Sequence, residues 1–273
     1  MDIRPVIERA GSRIHAGIDG PDAGPLVALT HGASMDHRMF EPQLEPLTTA
    51  GYRVLTWDLR GHGRSKPIGR TPLTISALAD DLLALLDQVE APQPVCLVGQ
   101  SLGAYVAQDI VYRHPDRVAC LVVIGGTCMT LPIARWEAMA LRSSPLWFKL
   151  WPDGDLRRRI ATATALRPEV RDYALEATRQ LTKQEFVEVW KAVARAIRPG
   201  PDYRIEHPLL LTHGDQDTTG NIARTAPRWA AREPRCRYEV IPDASHNANQ
   251  DNPAAFNHLL LEFLNTSYPA QGR

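Results

Sequence analysis

The sequence has little cysteine, no surplus of either charge and no long apolar run, and each shortage excludes a class of protein. Its four cysteines, Cys96, Cys120, Cys128 and Cys236, are scattered through 273 residues without a C-x-x-C pair. Neither a disulfide scaffold nor a zinc site is therefore expected. Cys96 and Cys120 lie in strand-like apolar runs, where a free thiol packs as a small hydrophobe. Lys plus Arg and Asp plus Glu each total 31, which leaves no global field drawing the chain to nucleic acid or to an anionic membrane. No segment approaches the length of a transmembrane helix. The opening MDIRPVIERAGSRIHAGIDG lacks the apolar core of a secretory signal. The expectation is a cytoplasmic protein with no nucleic-acid or membrane partner, present as a monomer or homodimer.

What the chain does have is enough apolar residue, 44% against 23% charged, to bury a sizeable core. Two short strands, Ile3 to Glu8 and Arg13 to Ile18, open it around an Ala10-Gly11-Ser12 turn. Alternation follows: a strand Leu26 to Thr30, a helix around Phe40 to Leu47, a strand Arg53 to Trp57, and an amphipathic helix over Thr74 to Val89. In that helix Ile75, Leu78, Ala79, Leu82, Leu83, Leu86 and Val89 recur at helical spacing. Then come a strand Val95 to Val98, a helix from Ser101 to Arg113 and a strand Val118 to Ile124. Such alternation predicts a parallel sheet covered by helices on both faces. From 127 to 204 only helical patterns appear, holding Trp136, Trp147, Trp151 and Trp190. Alternation resumes with a strand Pro208 to Thr212, a helix Ile222 to Arg232, a strand Arg237 to Ile241 and a helix Pro253 to Leu264.

The stretch PVCLVGQSLGAYVAQDIVYRHP, Pro94 to Pro115, runs from strand to helix with no loop, and Gly99 and Gly103 flank Ser101 at spacing two. Ser101 is either a helix cap or a nucleophile exposed on a sharp turn, with the Leu102 amide aimed at whatever it attacks. A serine hydroxyl needs a base that is itself oriented by a third group. Candidates stand just past later strands: Asp215 and Asp217 in LLLTHGDQDTTG, and His246 in YEVIPDASHNANQDNP. The chain order Ser, Asp, His suits a nucleophile on this kind of sheet.

On these residues, with LTHGASMDHRMFEPQLEPL after the third strand and the D-x-R-G-x-G-x-S turn in VLTWDLRGHGRSKP, nearly the whole chain resembles the α/β-hydrolase family. The resemblance implies an α/β fold with a mostly parallel eight-stranded sheet flanked by helices. It divides the chain into a core at 1–126 and 205–273 and an inserted all-helical cap at 127–204. It makes Ser101 the nucleophile, His246 the base and Asp217 the acid, on the family's G-x-x-D spacing from Gly214, with the amides of Ala33 and Leu102 as oxyanion donors. No cofactor or metal is implied; His213 and Asp215 imitate a metal pair but lack a third ligand. Gln100 stands where relatives often have His, and Ser245 where they often have Gly. Gln100, Trp136, Trp147 and Phe148 are the nominees for the substrate pocket.

His31 is expected to be a structural imidazole bonded to backbone. Asp58 is expected to pair with backbone or Arg60, and Arg157-Arg158-Arg159 to form a solvated helix face. The implied activity is cleavage of a small to medium apolar carboxylic ester or lactone. Alternatives are carbon-carbon bond cleavage beside a ketone with the same triad, cofactor-free perhydrolysis, and a ligand-sensing receptor on the same scaffold. Epoxide hydrolase and haloalkane dehalogenase relatives need Asp where Ser101 stands.

Overall fold

The computed structural model describes residues 6–270. Eight strands form one sheet in the order β1-β2-β4-β3-β5-β6-β7-β8. They are β1 Val6–Arg9, β2 Ser12–Asp19, β3 Leu26–Thr30, β4 Arg53–Trp57, β5 Val95–Gln100, β6 Val118–Ile124, β7 Leu209–Gly214 and β8 Cys236–Ile241. β1 and β2 pair antiparallel, β2 joins β4 antiparallel, and every other pairing is parallel. Residues 3–5 of the expected first strand lie outside the described residues.

The central strands β3, β5 and β7 are buried at every residue, as strands covered on both faces must be. Their side chains alternate between two cores. Ala28, Leu97, Leu121, Val123 and Leu211 pack on one face with Leu78, Leu82 and Ile110, from α2 Ile75–Gln88 and α3 Leu102–Arg113. Val27, Leu29, Cys96, Val98, Val122 and Leu210 pack on the other with Leu47, Phe256, Leu260 and Phe263. The helices there are α1 Glu41–Thr49 and, near the end of the chain, α10 Pro253–Ser267. Each fully buried Leu, Val or Phe contributes about 1.5–3 kcal/mol. Thr74 caps α2 by accepting from the Ala77 N–H at 3.1 Å. All four cysteines are free.

Between β6 and β7 come four helices and no strand: α4 Arg135–Leu150, α5 Asp153–Thr164, α6 Pro168–Arg179 and α7 Lys183–Ala194. Leu156, Phe186 and Val187 make a small core of their own, joined by Phe148 and Ile160. Ala161, Ala174 and Ala177 merge into one core of the sheet, and Leu181, Val189 and Ala192 into the other. The expectation of a solvated basic face fails at Arg157. That residue is buried, bonded to Asp153 at 2.8 Å, to the Thr178 carbonyl and to the Leu181 carbonyl at 2.8 Å. Its fork satisfies carbonyls that the ends of α6 leave open. After β7 come α8 Ile222–Arg232 and a short turn of helix, α9 Ala248–Asp251, before α10. Among the described residues no helix is long and apolar enough to cross a membrane.

Because β3, β5, β6, β7 and β8 are parallel, their carboxyl ends share one edge, and the chain reverses direction across the sheet between β3 and β5. Open α/β sheets place their ligands at such a reversal.

Candidate active site

Ser101 joins β5 to α3 with φ 50° and ψ −106°, a strained conformation for a residue with a Cβ. Its neighbours explain how the turn closes. A Cβ on Gly99 would lie 2.3 Å from the Gly103 carbonyl oxygen, and one on Gly103 would lie 2.1 Å from that of Thr30. Only glycine permits strand, turn and helix to approach so closely. The serine side chain makes no capping bond to α3, so the capping alternative has no hydrogen bond behind it.

The loop after β3 lies against this turn. A Cβ on Gly32, the residue before Ala33, would sit 3.4 Å from the Ser101 Cβ. No hydrogen bond from the N–H of Ala33 or Leu102 to another protein group is recorded among the described residues. Two neutral imidazoles hold this loop. His31 bonds the Gly32 carbonyl through Nδ1 at 2.8 Å and accepts the Leu59 N–H at Nε2 at 3.0 Å, while His62 Nε2 accepts the Ser34 N–H at 3.1 Å. Burial lowers the pKa of both, that of His62 to about 3, so each keeps the lone pair that its acceptor contact requires.

His246 follows β8, and its Nδ1 lies 3.0 Å from Asp217 Oδ2. Burial opposes ionisation of Asp217. The His246 contact and the Thr219 N–H, 2.8 Å from Oδ1, nevertheless hold its carboxyl below the ordinary range. A carboxylate only accepts, so Nδ1 carries a proton toward Asp217 and Nε2 is the ring nitrogen left outside this contact. Asp215 turns elsewhere, accepting the Ala244 N–H at 3.0 Å. The imidazole rests on Gly125, where a Cβ would lie 3.0 Å from Nδ1. The Ser101 N–H donates to the adjoining Ile124 carbonyl at 2.9 Å. The end of β6 is thus touched by serine and histidine alike.

Several side chains that hold this arrangement carry no sequence signature. Asp251 is buried, accepting the N–H of Ser245 at 2.9 Å, of Leu166 at 3.0 Å and of Arg167 at 3.1 Å. In the sequence it reads only as an acidic residue ahead of the Pro253 helix. Ser245 Oγ donates to the Ala163 carbonyl at 3.1 Å and the Asn247 N–H to that of Thr164 at 2.8 Å. The residues on both sides of His246 therefore close off the last turn of α5, whose carbonyls have no partner within the helix.

Gln100 is placed as a brace of the histidine loop. It is 1% exposed, and its Nε2 donates to the His246 carbonyl at 3.1 Å. Trp136 and Trp147 are about two-thirds exposed on α4. Phe148 packs edge-on against Phe186 and Trp190 within the insert, at centroid distances of 5.7 and 5.0 Å.

Asp58 binds backbone as expected, accepting the N–H of His37 and of Arg64 at 2.8 Å, but Arg60 pairs with Asp81 instead, at 2.6 Å. His213 is engaged by the Gly214 carbonyl and Tyr238 OH, both at 2.7 Å. Among the described residues no three His, Cys, Asp or Glu side chains are grouped to hold a metal ion.

Comparison with known proteins agrees with this fold. A family model described as "Alpha/beta hydrolase family" matches residues 27–259. Epoxide hydrolase B of Mycobacterium tuberculosis is 36% identical over 143 residues, 51% of this chain and 38% of that one. 3-oxoadipate enol-lactonase 1 of Acinetobacter baylyi is 25% identical over 267 residues, 95% of this chain and 96% of that one. Among solved structures, an esterase from Thermogutta terrifontis superposes with a TM-score of 0.82 at 22% identity, covering 98% of this chain and 99% of the other; that likeness speaks for the fold alone.

Proposed function

The chain belongs to the alpha/beta hydrolase family, and from that premise we propose that it is a serine hydrolase cleaving a small to medium apolar carboxylic ester or lactone through an acyl-enzyme. Ser101 is the nucleophile, His246 the general base and Asp217 the group that orients it. The observation that carries this reading is the 3.0 Å contact of His246 Nδ1 with Asp217, taken together with a serine held at φ 50° on the turn after β5. The full-length likeness to an enol-lactonase supports the substrate class.

In the proposed reaction the Ser101 oxygen attacks the carbonyl carbon as its proton passes to His246 Nε2. The carbonyl π electrons move onto oxygen, where the amides of Ala33 and Leu102 receive the charge; one such donor is typically worth about 10²- to 10³-fold in turnover. Collapse re-forms the carbonyl and breaks the bond to the leaving oxygen, which takes the proton from Nε2. Water then loses a proton to His246, attacks the acyl-enzyme and frees the acid, and the proton returns to Ser101. Opening an epoxide through an alkyl-enzyme needs a carboxylate nucleophile, which position 101 does not supply. The helical insert acts in this reading as a cap over the carboxyl edge of the sheet.

The test assays a panel of chromogenic esters, lactones and β-diketones with wild type and Ser101→Ala. Multiple turnovers of esters or lactones, lost in Ser101→Ala, are expected. Turnover of diketones alone would move the reading to carbon-carbon bond cleavage. A single slow turnover would move it to a ligand sensor.

A further inference from the structure

Helix α4 concentrates the exposed apolar bulk of the molecule. Of nine large hydrophobic side chains exposed among the described residues, five lie on it: Trp136 at 66%, Met139 at 69%, Leu146 at 60%, Trp147 at 65% and Leu150 at 70%. At 3.6 residues per turn they share an arc of roughly 120°. A surface helix ordinarily turns such an arc inward. Here the inward side is already occupied, with Pro145 buried and Phe148 packed against Phe186 and Trp190. The outward arc is a second apolar face with no partner among the described residues, and a contiguous face of this kind marks a docking surface.

Charge identifies what docks. Arg135, Arg142 and Lys149 recur every seven residues, so they form a row along one edge of the apolar arc. All three are exposed, and no ion pair to any of them is recorded among the described residues. Beside them a groove of about 740 Å³ runs between α4 and α7, floored by Leu146 and Val187 and rimmed by Arg142, Lys149, Lys191 and Arg195. Lys191 is paired with Glu188 at 2.6 Å. The one acidic residue of α4, Glu137, is spent on Asn221 and Arg224. The zero net charge of the whole chain conceals this local cationic strip.

We propose that α4 is a surface-docking helix that seats the protein on an anionic phospholipid bilayer. The cation row meets the headgroup phosphates, Trp136 and Trp147 lie at the interface, and Met139, Leu146 and Leu150 enter the acyl boundary. A bilayer needs only an apolar arc with a cationic edge, and both are present. A second copy fits less well, because antiparallel two-fold pairing of α4 sets one cation row against the other. This inference is independent of the catalytic reading.

The test is cosedimentation with vesicles of phosphatidylcholine alone and of phosphatidylcholine with about 30% phosphatidylglycerol, at low and high salt. Wild type is expected to pellet with the anionic vesicles only, and raised salt to release it. Arg142→Glu with Lys149→Glu, and separately Leu146→Gln with Leu150→Gln, are expected to weaken binding by at least about tenfold while solution ester turnover is unchanged. Failure of wild type to pellet, equal pelleting on phosphatidylcholine alone, or either double variant binding like wild type would overturn the proposal. So would a concentration-dependent dimer, seen by sedimentation velocity, that the leucine substitutions dissolve without any vesicle binding.

Discussion

The two halves of the helical insert meet the rest of the protein in opposite ways. The α5–α6 half is built into the loop that carries His246: Ser245 and Asn247 bond the last carbonyls of α5, and Asp251 ties the start of α6 to the residue before the histidine. The α4 half packs one side against α7 and turns Trp136, Leu146, Trp147 and Leu150 outward. One half holds the geometry of the site and cannot shift without disturbing the imidazole. The other is free to meet something outside the chain. Sequence adjacency within an insert therefore says little about how its parts are coupled to a site.

Four predictions sharpen or break that contrast. The largest effect is expected at the imidazole's partner. Under the proposed mechanism Asp217→Asn lowers kcat by about 10⁴-fold through loss of the productive tautomer, whereas Asp215→Asn, whose carboxylate holds the Ala244 N–H, lowers it far less. Equal losses in the two variants would remove Asp217 from its assigned place. Next, Asp251→Ala leaves three backbone N–H groups without an acceptor. It is expected to lower kcat by about 10- to 100-fold and to shift the pH profile of kcat while KM changes little. An unchanged profile with only a lower Tm would make α5–α6 a packing element and nothing more.

The third prediction concerns the loop after β3. Burial alone would raise the Asp58 pKa, but the His37 contact and the Arg64 N–H hold the carboxyl down to about 2. Its contribution, about 2 kcal/mol, is complete above the ordinary carboxylate range near pH ~4 and is lost as the pH falls toward about 2. Urea unfolding of wild type and Asp58→Asn should therefore differ at neutral pH, and the difference should shrink through the acid range. The smallest effect belongs to α4. Leu150→Ala, on a residue 70% exposed, should change stability by less than about 0.5 kcal/mol. Leu97→Ala in the sheet, 1% exposed, should cost about 2–5 kcal/mol.

Much of the sheet was legible because its signals are local. The bounds expected for the strands at Leu26, Arg53 and Val118 match the observed β3, β4 and β6, since a run of apolar residues ended by glycine, proline or charge has little else it can form. The short helix α9 escaped notice because four residues carry no periodicity. The glycine pattern around Ser101 was readable, since steric exclusion is recorded in the residue type itself. Where a buried charge finds its partner was not readable. Asp81 lies 21 positions from the Arg60 it binds, and Asp251 lies 85 from Leu166. Which side chains line a pocket was not readable for the same reason, because polarity and bulk do not state which way a side chain faces.

By itself the sequence determined the alternation of strand and helix, the sharp turn at Ser101 and the order in which serine, aspartate and histidine follow one another, since backbone sterics and apolar periodicity act over a few residues. Only the tertiary structure decided that Asp215 is spent on the Ala244 N–H, that α5 and Asp251 grip the histidine loop, and that α4 keeps an apolar face in solvent. Those outcomes depend on how distant segments satisfy each other's hydrogen bonds and exclude water, a competition settled across the whole molecule.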